Sequence, residues 1–220
     1  MRHWLKDNGL GLANAVLFVA FFVGMVLTGA NSYSDDQVQH GEKPVGVIQY
    51  LVTGDFVEAT FENWESEFLQ MGSYVVLTAF LFQRGSAESK PMDEPAGQDE
   101  DPRDAKPKPD RPWPVMRGGL VLAVYEHSLL ILFAVLFVAS FLLHAAGGSV
   151  AYDQEQTEHG QSPVGFWGFF GTSQFWFQSF QNWQSEFMVV TVIVVASIWL
   201  RERGSSQSKP VAAPSRQTSS

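Results

Sequence analysis

The sequence predicts an all-α membrane protein: four transmembrane helices arranged as two parallel two-helix repeats, with short interfacial helices in the outer loops. Three observations predict it. The chain repeats itself, because Phe61-Glu62-Asn63-Trp64-Glu65-Ser66-Glu67-Phe68 returns as Phe180-Gln181-Asn182-Trp183-Gln184-Ser185-Glu186-Phe187, 119 positions later. Its apolar residues are gathered into runs of membrane-crossing length. Its positive charge is sorted to alternate sides of those runs. An internal repeat has to be recognised before the fold, since missing it miscounts the elements.

The 119-residue offset holds without a gap along both copies. Ala15-Val16-Leu17-Phe18-Val19-Ala20 is identical to Ala134-Val135-Leu136-Phe137-Val138-Ala139. His40-Gly41 matches His159-Gly160, Pro44-Val45-Gly46 matches Pro163-Val164-Gly165, and Arg84-Gly85-Ser86 matches Arg203-Gly204-Ser205. Shared membrane-protein composition would explain common Val, Leu and Phe. It does not explain common Asn, Trp, Glu, His and Pro at one offset. The organisation read from this is repeat 1 over residues 1–84, a linker over 85–114, repeat 2 over 115–203 and a tail over 204–220.

Each predicted helix has its own reason. Residues 10–30 and 128–146 are nearly unbroken apolar runs, long enough to cross a hydrocarbon core of about 30 Å. Residues 61–83 and 180–200 reach that length when the aromatic, polar segment before each apolar run is included. The first run follows Arg2 and Lys6 and ends Thr28-Gly29-Ala30, which suggests a cleavable signal. It is longer than a signal core, and its copy lies mid-chain.

Positive charge sets the orientation. Arg2 and Lys6 precede the first run; Arg84, Lys90, Lys106, Lys108, Arg111 and Arg117 lie between the second and third; Arg201, Arg203 and Lys209 follow the fourth. The loop after the first run has a single Lys, Lys43, and the loop after the third has neither Lys nor Arg. Both termini and the linker are therefore expected in the cytoplasm, and two helices per copy give both copies one orientation. The linker alternates proline with charge and carries no apolar period, so disorder is expected there and in the tail. The chain has no cysteine, which excludes disulfides, thiol nucleophiles and thiolate metal sites. Its net charge of −9 comes mostly from loops and says little about a nucleic-acid partner, but no basic stripe exists for phosphate contacts, so no nucleic acid is expected.

Each outer loop starts polar and turns aromatic. Ser162-Pro163 and the weaker Lys43-Pro44 read as helix starts. Thr53-Gly54 and Thr172-Ser173 mark a second break. Short surface helices are expected, with Trp64, Trp183, Trp167 and Trp176 as interfacial anchors. Residues 118–125 read as a further surface helix, followed by Glu126-His127, a candidate proton-relay pair.

Asn63 and Glu67, and likewise Asn182 and Glu186, are spaced four apart and share a helix face. One reading makes them a clamp at a helix start, with Asn and Glu satisfying free main-chain amides and Trp at the interface. A sharper reading brings Glu67 and Glu186 together as a cation or ligand site, with Asn63, Asn182, His40 and His159 around them. No tight metal-ligand spacing selects a metal. His144 is expected near the membrane interface.

The segments Ser173 to Phe187, Leu200-Arg201-Glu202-Arg203-Gly204-Ser205 and Tyr125-Glu126-His127-Ser128 resemble a family of small bacterial integral membrane proteins of unknown function. The resemblance covers most of the chain and is strongest in repeat 2. It implies residence in the bacterial inner membrane and carries no catalytic residues. No nucleophile motif or phosphate-cradling loop is present. The leading functional expectation is a non-enzymatic structural or envelope-associated interaction protein, with the bilayer, a membrane-protein partner or a second copy as partners and no cofactor. A small transporter or channel, and a membrane enzyme handling lipid or quinone, are the alternatives.

Overall fold

A computed structural model describes residues 2–104 and 111–218. The part of the linker that carries Lys106 and Lys108 lies outside the described residues. Among the described residues the chain is helical and has no strand. The helices are α1 (Arg2–Asp7), α2 (Gly9–Gln39), α3 (Val47–Tyr50), α4 (Gly54–Phe80), α5 (Trp113–Arg117), α6 (Gly119–Glu126), α7 (Ser128–Glu158), α8 (Gly165–Phe169) and α9 (Ser173–Ala196), with short 3₁₀ turns at Gly97–Asp99 and Pro102–Asp104.

Among the described residues two helices, α2 and α7, are long and apolar enough to cross a membrane. Both have 31 residues, and their ends differ by the same 119 positions as the sequence copies. Each runs well past the apolar segments 10–30 and 128–146, because what stops a helix is a cap rather than the end of hydropathy. His40 and His159 occupy that cap. After them Gly41 and Gly160 take φ of 83° and 71°, which glycine alone adopts without strain. The Glu42 amide donates to the Gln37 carbonyl and the Gln161 amide to Gln156, both at 2.8 Å, so each helix closes in a Schellman turn.

By contrast, α4 and α9 start seven residues before the expected 61 and 180, and end before 83 and 200. Their first turns are polar, and neither combines length and apolarity as α2 and α7 do. Thr53 and Thr172 start them: each Oγ1 accepts the amide three residues on, Phe56 at 3.2 Å and Phe175 at 3.3 Å. The break between α1 and α2 falls at Asn8 (φ −118°, ψ 10°), and that between α6 and α7 at His127 (φ −113°, ψ 10°).

The chain divides into two compact units. One comprises residues 1–61 and 142–175, the other 62–141 and 176–220. In the first, the outer loops are packed rather than draped. Tyr50 of α3 is buried, and its ring lies where a Cβ on Gly29 would stand, with the hydroxyl 2.5 Å from that position. Phe169 of α8, fully buried, lies on Gly148 in the same way at 2.6 Å. Tyr50 then meets Phe56 edge-on at 5.5 Å, and Phe169 meets Phe175 edge-on at 5.5 Å. A side chain on the long helix holds each loop. Ser34 Oγ accepts the Val45 amide at 3.0 Å, and Asp153 accepts the amides of Val164 (2.7 Å) and Gly165. The loop aromatics are thus partly core.

The same unit holds a close glycine contact between the start of α4 and α7. A Cβ on Gly147 would stand 2.8 Å from the Gly54 carbonyl and closer still to the Glu58 amide nitrogen. His144 is fully buried here, stacked on Phe175 with ring centroids 5.0 Å apart.

In the second unit the segments after α4 and α9 fold alike. Gly85 and Gly204 turn the chain at φ 83° and 85°. Ser89 Oγ accepts the Gln83 amide, and Ser208 Oγ accepts the Glu202 amide. Lys90 Nζ donates to the Ala79 carbonyl in the last turn of α4, and Lys209 Nζ to the Ile198 carbonyl in the turn that follows α9. Lys209 is buried and also donates to the carbonyls of Gly85, Ser215 and Gln217.

Candidate functional site

Helix periodicity decides which polar side chains of the repeated segments meet. In α4, Glu62 and Glu65 are three apart and share a face; Glu58 precedes Glu62 by four on that face, and Leu69 follows Glu65 by four. In α9, Ser179, Asn182 and Trp183 fall at matching spacing. These two stripes meet in the second unit, except that the buried acid is Glu65 rather than Glu67. Glu65 is fully buried; its Oε1 accepts from Ser179 Oγ at 2.9 Å and from the Trp183 indole at 3.2 Å. Asn182 Nδ2 donates to Glu62 Oε1 and to the Gln178 carbonyl. Gln70, also buried, donates to the Glu186 carbonyl at 2.9 Å. The result is a polar layer joining α4 to α9, in which the acids of one helix face donors from the other, as burial requires.

Glu67 is exposed and Glu186 half-buried. The two lie close enough for the charge on Glu67 to act on Glu186. Among the described residues no hydrogen bond reaches either carboxylate. The helix-start clamp is corrected. Asn63 and Glu67 sit nine and thirteen residues after Gly54, far from the free amides of the first turn, and Thr53 and Thr172 do that work. Asn63 and Asn182 instead lend their carbonyls to Ser66 Oγ (2.7 Å) and Ser185 Oγ (2.8 Å) within the helix.

Trp183 is bound into the polar layer and packs against Phe137 and Phe180. Trp64 is half-buried. Trp176 is partly exposed beside Phe141 and Phe180, while Trp167 is 80% exposed and stacks on Phe170. Glu126 pairs with Arg103 at 3.4 Å, and His127 is the exposed residue that ends α6.

His40 and His159 belong to the first unit. Each Nδ1 faces the carbonyl four residues back, Asp36 at 3.0 Å and Glu155 at 2.8 Å, so each imidazole reinforces the cap of its own helix. Both border a cleft of about 330 Å³ in that unit, together with Asp36, Asp55, Glu58, Glu155 and Glu158; among the described residues no Lys or Arg lines it. Burial pushes the Asp55 carboxyl above its ordinary value; its own backbone hydrogen bond works against this, and the charges of Asp36 and Glu158 add to it. Among the described residues no group of three or more His, Asp or Glu is placed to hold a metal ion.

Reading identical positions in the two copies missed Glu65 because its partner position holds Gln184. The informative signal was the difference. The first copy has Glu62 and Glu65 where the second has Gln181 and Gln184, so the acids of the layer come from one helix alone.

Among the described residues these features define a helical chain with two helices long and apolar enough to cross a membrane and an internally bonded polar layer. The chain belongs to the family described as a domain of unknown function (DUF6766), whose model matches residues 1–220. No curated protein and no solved structure matches it.

Proposed function

We propose that the chain is a four-span membrane protein built from two like-oriented copies of a two-helix unit, with both termini in the cytoplasm of a bacterium, and that its role is structural: a non-catalytic interaction protein of the inner membrane. The polar layer carries this reading. In a bilayer, hydrogen bonds between helices hold a bundle together. Glu62, Glu65, Ser179, Asn182 and Trp183 are used on one another, and Gln70 on the α9 main chain. Matching helix lengths, caps and loop seats at one 119-residue offset support the duplication. With four spans, α4 and α9 cross with help from this layer, which covers their polar first half.

The natural absence of cysteine makes the test direct. Single cysteines replace the exposed residues Glu94, Ser206, Glu42 and Gln161 one at a time, and an impermeant thiol reagent is applied to sealed inner-membrane vesicles of known sidedness. Four spans require residues 94 and 206 to label from the cytoplasmic side, and 42 and 161 from the opposite side. Labelling of 42 and 94 from the same side overturns the topology.

A second reading, a small cation transporter, rests on Glu67 and Glu186, two neighbouring carboxylates that no hydrogen bond engages among the described residues. It requires flux in proteoliposomes that Glu67→Gln with Glu186→Gln abolishes; a structural role requires no flux from either protein.

A further inference from the structure

The second unit contains a groove that the polar layer does not use. It has a volume of about 430 Å³ and runs between α4 and α7, with one residue from α9. Phe68, Gly72 and Ser73 form one wall, Phe133, Ala134 and Phe137 the other. Gly72 sets the approach: a Cβ there would stand 3.3 Å from the Cβ of Phe133, so the helices touch at that level and diverge beside it. The volume lies within the range of about 300–1,000 Å³ typical of ligand-binding pockets. Phe137 also packs on Trp183, whose indole binds Glu65, so one end of the groove abuts the polar layer.

The medium around the groove follows from its α7 wall. Leu130 to Phe137 lie inside α7, one of the two helices apolar and long enough to cross a membrane. Among the described residues Ser73 is the one polar side chain of the lining, so water gains little there. A dry void would forfeit the packing contacts of its walls. Neighbouring α7 residues such as Val135 and Val138 are exposed outside the groove and offer hydrocarbon only a convex ridge. The groove has α4 and α7 as its walls and Phe187 of α9 at its edge, a concave shape that holds one chain rather than brushing many.

We propose that this groove is a binding site for one acyl chain of a membrane phospholipid. The proposal rests on the membrane reading above. A phospholipid with a photoactivatable diazirine on its acyl chain is reconstituted with the full-length protein in vesicles, illuminated, and the adducts are mapped by mass spectrometry. Adducts concentrated at least several-fold on the groove residues Phe68, Ser73, Phe133, Ala134 and Phe137, relative to the exposed ridge at Val135, Val138 and Leu142, are the expected result. Ala134→Phe fills the groove and lowers that labelling several-fold, whereas Val135→Phe, with the same ring on the ridge, leaves it unchanged. Even labelling of groove and ridge in the unmodified protein overturns the site, whether or not the variants fold. Labelling of the groove by a diazirine-bearing isoprenoid quinone, but not by the phospholipid, overturns the acyl-chain assignment. A chain that fails to float with the vesicles overturns the membrane reading itself, a result distinct from even labelling in a chain that floats.

Discussion

Gly147→Ala is expected to loosen the protein, although alanine is the better helix former. The added methyl meets main chain on two sides, the Gly54 carbonyl at 2.8 Å and the Glu58 nitrogen nearer still. Ordinary carbon contacts fall near 3.5–4.0 Å, so α4 and α7 must part locally by about 1 Å. Main chain at the start of a capped helix does not swing aside as a long side chain does. Overpacking of this kind costs about 1–3 kcal/mol, against a gain in helix propensity of about 0.5–1 kcal/mol. Gly24→Ala is the control. It stands in α2 with nothing within 4 Å of its Cβ position, so only the propensity gain applies. The two substitutions add the same methyl and should shift thermal unfolding in opposite directions. At roughly 2–4 °C per kcal/mol for a chain of this size, Gly147→Ala lowers the apparent Tm in detergent by several degrees, and Gly24→Ala raises it slightly. Equal shifts for both, or a higher Tm for Gly147→Ala, refute the glycine contact.

Two further outcomes follow from the polar layer and the cleft. Glu65→Leu leaves the Ser179 and Trp183 donors buried without that acceptor, at about 1–3 kcal/mol for each group stranded, while Glu67→Leu, exposed, changes stability by about 0.5 kcal/mol or less; denaturant titration of both compares them, and equal effects dismiss the layer. Asp55, raised by burial and by Asp36 and Glu158, binds its proton more tightly folded than unfolded. Its charge therefore burdens the folded state above the raised value, and that burden lifts as pH falls through the raised value towards the ordinary one near 3.8. Asp55→Asn is expected to be more stable than the parent at neutral pH, with the advantage shrinking on acidification; an advantage constant with pH counts against the cleft's electrostatics.

The parts of this fold legible in the sequence are those fixed by local chemistry. The starts of α2 and α7 follow polar breaks at Asn8 and His127. Thr53 and Thr172 are legible as breaks, but they cap α4 and α9 themselves rather than separate short surface helices, so hydropathy places those two starts seven residues late. Hydropathy misplaced the other ends, because Asn31 to Gln39 is polar yet still helical, and the stop signal was His40-Gly41 rather than a fall in apolarity. The seats of Tyr50 on Gly29 and Phe169 on Gly148 could not be read from pattern, since a glycine inside an apolar run looks like lost propensity until a ring is found on it. The same holds for Glu65: its burial depends on donors from a helix more than a hundred residues away.

The two ring-on-glycine seats also bear on the order of assembly. Each joins residues 21 positions apart, Gly29 with Tyr50 and Gly148 with Phe169. Contacts so near in sequence close quickly, because little chain entropy is lost in forming the loop. The first seat is complete before the second copy has been synthesised, so each outer loop is fastened to its own long helix early. What is left for a later stage is the polar layer, whose donor Ser179 is translated more than a hundred residues after Glu65. A ribosome-bound chain ending before residue 179 already carries its first fastened loop but lacks Ser179 and Trp183, the two donors that α9 brings to Glu65.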